Sequence, residues 1–190
     1  MNRYDRDYDA FIRYQHQEND PYSLGDNSVV RIREFSNQEL WVLSGTVLYR
    51  YDQENDRFIR FSPKGQLEAG NLFTGFMRDL RGRFWLLETG NRIWRFYPDS
   101  GAIESVELFQ EKTFSHKKFY MDHSGDLWIA TWSHGLYQFF PDTLSLHRYG
   151  VQPDGTGVSG KFINDILEHQ EGQLLIALDQ GGLNIFDKQT

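Results

Sequence analysis

The 190-residue chain carries one sequence pattern four times. Each copy contains a short apolar run, and the residues at the centres of these runs are equivalent anchors spaced 43 to 47 residues apart: Trp41, Trp85, Trp128 and Leu175. After each anchor comes a second element that ends in an aromatic residue, as in GLYQFFPD at 135–142. Periods of about 20 to 50 residues are typical of architectures in which one supersecondary unit recurs.

Each copy is predicted to form four short strands joined as a meander. A further apolar segment precedes each anchor, for example HKKFYMD at 116–122, and another follows the aromatic end, for example DRFIRF at 56–61. The connections contain turn residues such as Ser124-Gly125, where glycine tolerates the positive φ of a tight hairpin. Hairpin therefore follows hairpin along the chain.

The second strand of each unit is apolar on both of its faces. In the third copy, Leu127 and Ile129 point one way, and Trp128 and Ala130 point the other. A sheet of this kind must be covered on both sides, and blades packed radially against one another provide that cover. The predicted fold is therefore all-β: a β-propeller of about four blades, each a four-stranded antiparallel meander, with the anchor side chains filling the space between blades.

Composition excludes several classes of partner and site. Aromatic residues make up 16% of the chain, which favours strands. The net charge of −7 offers no basic surface for nucleic acid. The chain has no cysteine, no apolar stretch long enough to span a membrane and no signal-peptide pattern at its N-terminus. The six histidines show no metal-ligand spacing, so neither a metal nor a cofactor is predicted.

The repeats resemble the two-component regulator propeller repeat. The third copy, FYMDHSGDLWIATWSHGLYQFFPD at 119–142, carries its strand ending in Asp, its Gly turn and its LWIGT-like strand, and the segment 19–27 resembles the linker between its blades. The copies at 88–90 and at Leu175 depart from the pattern. The resemblance implies a non-catalytic periplasmic sensor region of a hybrid histidine kinase, which often controls polysaccharide use in gut bacteria. The implied partners are an oligosaccharide and the rest of the parent kinase.

The repeats also predict where the units begin and end. The predicted parts are the end of a preceding blade plus a linker over 1–24, and blades over 25–63, 64–109, 110–157 and 158–190. The last blade lacks its outer strand. Either residues 9–14 supply that strand and close a four-blade ring, or the chain is a segment of a larger propeller. We favour the segment, because propellers of the family usually have more blades, and we expect open end blades to self-associate.

Two motifs suggest enzymes instead. GTGVSG at 155–160 matches a dinucleotide-binding pattern if 161–169 is a helix, but internal alignment places Val158 on Leu24 in an ordinary blade linker. DHSGDLW at 122–128 is similar to the Asp box of sialidase propellers, but His123 stands where that box has its acid. We therefore expect Asp79 and Asp122, each six residues before a Trp, to be turn acids that accept hydrogen bonds from backbone amides.

The candidate ligand-binding residues lie in the connections between second and third strands. Trp132 and His134 occupy a longer connection in the third copy, and Asn91 and Asp179 occupy matching connections in its neighbours. Trp132 is suited to stacking on a sugar ring, but packing on the next blade is the more common role of a Trp in so aromatic a chain. Three functions stay open, in this order: a ligand-binding sensor, a scaffold for another protein, and an enzyme of the sialidase or lyase kind.

Overall fold

The computed structural model describes residues 1–35, 38–64, 72–90, 92–107 and 116–188. These parts of the chain contain strands and turns and no helix. The strands form five sheets, and within each sheet the neighbours in space are neighbours in sequence. The prediction of an all-β fold built from meanders is therefore confirmed. Within the same residues, no helix has the length and apolarity needed to cross a membrane.

The first two sheets come from the N-terminal part of the chain. The first sheet consists of β1 (Asn2–Asp5) and β2 (Ala10–Arg13). The second consists of β3 (Val29–Glu34), β4 (Leu40–Ser44), β5 (Val47–Asp52) and β6 (Arg57–Phe61).

The other three sheets follow in order along the chain. The third sheet consists of β7 (Phe73–Arg78), β8 (Phe84–Glu88), β9 (Arg92–Tyr97) and β10 (Ala102–Glu107). The fourth consists of β11 (His116–Met121), β12 (Leu127–Thr131), β13 (Leu136–Phe140) and β14 (Ser145–Tyr149). The fifth consists of β15 (Ile163–Gln170), β16 (Gln173–Leu178) and β17 (Gly182–Asp187).

The chain divides into two compact units. The first unit comprises Met1–Phe73 with Tyr97–Ile103, and the second comprises Thr74–Phe96 with Glu104–Thr190. In the first unit, Val42, Tyr49 and Phe58 of the second sheet are buried with Leu24 of the preceding linker, and Tyr14 packs against them. One face of the second sheet is thus covered by the linker and the end of the first sheet.

In the second unit, β12 is buried on both faces. Leu127 and Ile129 belong to an apolar cluster with Trp85 of the third sheet. Trp128 and Ala130 belong to a separate cluster with residues of the fifth sheet: Ile163, Ile166, Leu174, Ile176 and Leu178. The fourth sheet therefore packs between the third and fifth sheets. Both of its apolar faces are covered, as its sequence pattern predicts.

The segment 161–169 does not form the helix that a dinucleotide site would need. Residues Ile163–Gln170 form β15, which pairs antiparallel with β16. Val158 is buried in the linker before it, as Leu24 is in the linker before β3. The glycine-rich segment 155–160 is thus part of a connection between sheets.

The four anchors lie at the same place in their sheets. Trp41, Trp85 and Trp128 are buried, whereas Leu175 is only partly buried. Leu175 lies between Leu167 and Ile185 of the neighbouring strands. Both neighbours are exposed, at 57% and 67%, so this face of the fifth sheet has no cover among the described residues.

Candidate functional site

The connection from β12 to β13 is a short loop held at its base by Thr131. The buried Thr131 hydroxyl donates to the carbonyl oxygen of Gly135 at 2.7 Å and accepts from the backbone N–H of His134 at 3.1 Å. Gly135 has a φ of +87°, and a Cβ there would lie 2.6 Å from the carbonyl oxygen of Tyr149. The loop therefore depends on glycine at its last position.

Trp132 is at once packed and exposed. Its ring centroid lies 5.1 Å from that of Phe162, with the two rings tilted by 56°. Its side chain nevertheless stays 36% exposed. Lys161 places its ammonium 5.4 Å from the centroid of Phe162 on the adjoining linker. An indole braced by a second ring and open to solvent can stack on a flat apolar surface of a ligand at little entropic cost.

His134 is half-buried in the same loop. Its Nδ1 lies 2.7 Å from the hydroxyl of Ser133, and its carbonyl oxygen accepts from Nε of Arg148 at 2.8 Å. The backbone of His134 thus ties the loop to the outer strand β14. This leaves Trp132 as the residue of the loop with a large exposed apolar surface.

Asp179 reaches the same linker from the fifth sheet. Its backbone N–H donates to the carbonyl oxygen of Phe162 at 2.9 Å, and its side chain is exposed. From the other side, the N–H of Gly135 donates to the carbonyl oxygen of Lys161 at 3.2 Å. The structure therefore places Trp132, His134 and Asp179 around one linker, whereas Asn91 lies outside the described residues.

The turn acids have a structural role. Asp122 accepts from the indole N–H of Trp128 at 2.9 Å and from the backbone N–H of Asp126 at 2.9 Å. Asp79 accepts from the indole N–H of Trp85 at 2.9 Å and from two backbone amides of its own turn. Both acids thus accept hydrogen bonds from the backbone amides of their own turns, as the sequence predicts.

The charge on Asp122 is balanced by Lys188, whose ammonium lies 2.7 Å from the Asp122 carboxylate and 2.6 Å from that of Asp126. Burial raises the pKa of Asp122, but the hydrogen bonds from Lys188 and Trp128 outweigh it and keep the pKa below its ordinary value. Within the described ranges, no three His, Cys, Asp or Glu residues are grouped so that they could hold a metal ion.

The fold is similar to several solved structures of low sequence identity. One is the extracellular domain of a putative hybrid two-component system from B. thetaiotaomicron, with a TM-score of 0.73 and 21% identity over 97% of this chain. Another is PorZ, a surface component of the type-IX secretion system of Porphyromonas gingivalis, with a TM-score of 0.67 and 15% identity over 97% of this chain. The chain is a β-propeller region. A third is virginiamycin B lyase from Staphylococcus aureus, with a TM-score of 0.60 and 14% identity over 86% of this chain.

The similarity to the two-component extracellular domain agrees, at the level of the fold, with the resemblance of the repeats to two-component regulator propellers. The chain spans 24% of the two-component extracellular domain, 28% of PorZ and 57% of the lyase. No family model matches the chain, and no curated protein matches it. The predicted propeller fold is confirmed.

Sequence reasoning missed one residue of the site and one separate cavity. The first is Phe162, which braces Trp132 from a linker 30 residues away. The available signal was an aromatic residue after a lysine at the start of the apolar segment 161–169, which was predicted as the first strand of the fourth copy. The second is a cavity of about 480 Å³ beside β17, lined by residues of β14, of the linker 150–158 and of β17 itself. It follows from packing between sheets, which the repeat pattern alone does not describe.

Proposed function

We propose that this propeller region is a non-catalytic sensory module of a two-component signalling protein, and that it binds a carbohydrate fragment in the periplasm. The observation that carries the proposal is the loop of Trp132, which presents a braced, partly exposed indole beside the linker 159–162. The fold similarity to a two-component extracellular domain supports the signalling context.

A carbohydrate suits this site for chemical reasons. Sugar rings have apolar C–H faces that pack on an indole, and hydroxyl rims that need hydrogen-bonding groups nearby. Polar residues lie near the indole: His134 is in the same loop, Asp179 contacts the adjoining linker through its backbone N–H, and the ammonium of Lys161 lies 5.4 Å from the centroid of the Phe162 ring. Loops on a rigid scaffold are where recognition residues concentrate, and the hydrogen bonds of Thr131 fix this loop to its sheet.

The proposal is tested by replacing Trp132 and measuring heats of binding and melting shifts with a panel of oligosaccharides. The Trp132→Ala variant should weaken binding at least about tenfold, which corresponds to about 1.4 kcal/mol. Phe140→Ala is the matched control, because Phe140 is 37% exposed and lies at the opposite end of β13. Equal losses in both variants, or no binding by any oligosaccharide in the panel, would contradict the proposal.

A protein scaffold is the second candidate, and one observation favours it. Leu167, Leu183 and Ile185 form an exposed apolar face on the fifth sheet, with 57 to 67% of each residue accessible. Exposed apolar patches of this kind mark protein contacts. If another protein covers this face, lysine at these positions should abolish that contact and leave oligosaccharide binding unchanged. Catalysis is not part of either proposal.

A further inference from the structure

Two basic side chains of the second unit, Arg148 and Lys161, lie exposed at the loop of Trp132. Neither has a carboxylate partner among the described residues. Elsewhere in this unit, five basic side chains pair with carboxylates: Arg81, Arg83, Arg95, Lys118 and Lys188. The loop is therefore a place where positive charge stays available in a chain whose net charge is −7.

The two cations approach the loop from different elements. Nε of Arg148, on the outer strand β14, donates to the carbonyl oxygen of His134 at 2.8 Å. This contact uses one of the five guanidinium N–H groups and leaves those of the two terminal nitrogens available. The ammonium of Lys161, on the linker before β15, lies 5.4 Å from the centroid of the Phe162 ring, which packs on Trp132. The indole thus has a cationic group near it on either side of its loop.

The first unit contains an equivalent linker, and its backbone makes the same contact with its sheet. Internal alignment of the two linkers places Phe162 on Ser28. The N–H of Asp179 donates to the carbonyl oxygen of Phe162 at 2.9 Å, and the N–H of Gly45 donates to that of Ser28 at 3.2 Å. The path of the linker therefore does not depend on which side chains it carries.

The side chains of the two linkers differ. Lys161 stands where the first unit has Asn27, whose side chain accepts from the backbone N–H of His16 at 2.8 Å and so holds its own linker. The ammonium of Lys161 holds no such contact in the described chain. An aromatic ring, Phe162, likewise replaces the small Ser28. The cation and the ring are thus additions to the repeat, and the fold itself does not require them.

We propose that the loop of Trp132 takes an acidic saccharide, with a sugar ring stacked on the indole and an anionic substituent bound by Arg148 and Lys161. This proposal deepens the sensory function proposed above and rests on it. The substituent is the carboxylate of a uronic acid or a sulfate ester, because both present oxygens that a guanidinium can bind in bidentate form. Hydrogen bonds between charged groups are roughly twice as strong as neutral ones, so the anion adds selectivity to the stacking contact.

Calorimetry on this chain, with two matched pairs of probes, tests the preference for charge. Tetragalacturonate is compared with its methyl ester, and a sulfated carrageenan tetrasaccharide is compared with its desulfated form. In one pair, the anionic member should bind about tenfold more tightly at about 20 mM salt, and the difference should shrink as the salt is raised to about 500 mM. The pair that shows the preference identifies the anion as a carboxylate or a sulfate.

Substitutions test whether the two cations cause the preference. Lys161→Gln and Arg148→Gln should each reduce it about threefold, as expected for a solvated ion pair. Arg13→Gln is the matched control, because Arg13 is exposed, has no carboxylate partner in the described chain and lies in the first unit. This control removes the same charge and should leave the preference as it is in wild type. Asp179→Asn removes an exposed carboxylate beside the linker and should raise the preference about twofold.

The outcomes distinguish the acidic ligand from the carbohydrate binding on which it rests. Equal binding of the charged and neutral members, with both weakened by Trp132→Ala, would contradict the preference for charge and leave carbohydrate binding intact. If none of the four probes binds, both proposals are wrong. If Arg13→Gln reduces the preference as much as Lys161→Gln does, the preference comes from the net charge of the chain, and the assignment to this loop is wrong.

Discussion

Asp79 and Asp122 are the acids six residues before Trp in two successive sheets, and each brings together an indole, its own turn and a basic side chain. The basic partner of Asp79 is Arg83, at 2.6 Å, which also reaches Asp142 on the fourth sheet at 2.9 Å. The partner of Asp122 is Lys188, which follows β17. Each carboxylate thus links neighbouring sheets of the second unit.

Loss of the Asp122 carboxylate should therefore destabilise the second unit. The side chain is fully buried. Its removal leaves the buried indole N–H of Trp128 without its acceptor and takes away one of the two carboxylates that pair with Lys188. Breaking a buried pair in this way costs about 3 kcal/mol or more. We expect Asp122→Ala to lower the free energy of unfolding in urea by about that amount, whereas Asp99→Ala, at an exposed turn, should change it by less than about 0.5 kcal/mol.

His123 and Glu168 predict a pH dependence of stability. Nδ1 of His123 lies 2.6 Å from Oε2 of Glu168, which also accepts from the N–H of His123. The hydrogen bond and charge of Glu168 raise the pKa of His123, with smaller contributions from Asp122 and Glu171. Folding thus favours the imidazolium, so its stabilising effect is present below the unfolded pKa of about 6.5 and is lost as pH rises through the folded pKa.

This pH dependence is measured on His123→Gln, which keeps a polar side chain and has no charge. Wild type should unfold at higher urea than the variant at about pH 5.5, and the difference should be smaller at about pH 9. A difference that stays constant with pH would show that the contact does not depend on the imidazolium.

At the scale of elements, the repeat pattern predicts the strands because each one must present apolar residues to a neighbouring sheet. β12 is buried on both faces because its apolar residues point alternately to the two sides of the sheet. β15 is a strand because it pairs antiparallel with β16. The contacts of Lys188 with Asp122 and of Phe162 with Trp132 join residues far apart in sequence. No local pattern encodes them, so the site could be predicted only in part.

The close approach of Gly135 to the carbonyl oxygen of Tyr149, in the loop between β12 and β13, can be tested by substitution. Gly135→Ala forces a Cβ against the carbonyl oxygen of Tyr149 as well as straining a positive φ. Gly155→Ala is the matched control, with a φ of +80° and no atom within 4 Å of the added Cβ. Gly155→Ala should cost about 1 kcal/mol, and Gly135→Ala should cost more and also weaken ligand binding. Equal unfolding midpoints for the two variants would be inconsistent with the close approach.

At the scale of the whole molecule, the sheets at the two ends of the chain each keep an open apolar face. In the first sheet, Tyr4 and Phe11 are exposed and pack on each other at 5.4 Å. In the fifth sheet, Leu167 and Ile185 are exposed on either side of Leu175. The anchors of the sheets between them, Trp41, Trp85 and Trp128, are buried, whereas these two faces expose large apolar side chains to solvent.

Such faces should drive association between copies of this chain. We expect the weight-average sedimentation coefficient of wild type to rise with protein concentration, because apolar cover is gained when the open sheets meet. The double variant Leu167→Lys with Ile185→Lys places two ammonium groups on the face of the fifth sheet and should sediment as a monomer. The matched control is Leu144→Lys with Val151→Lys, which changes two exposed apolar residues elsewhere in the second unit. This control should associate as wild type does, since it adds the same charge at a different position. If wild type sediments as a single monomer boundary at every concentration, the open faces do not attract one another.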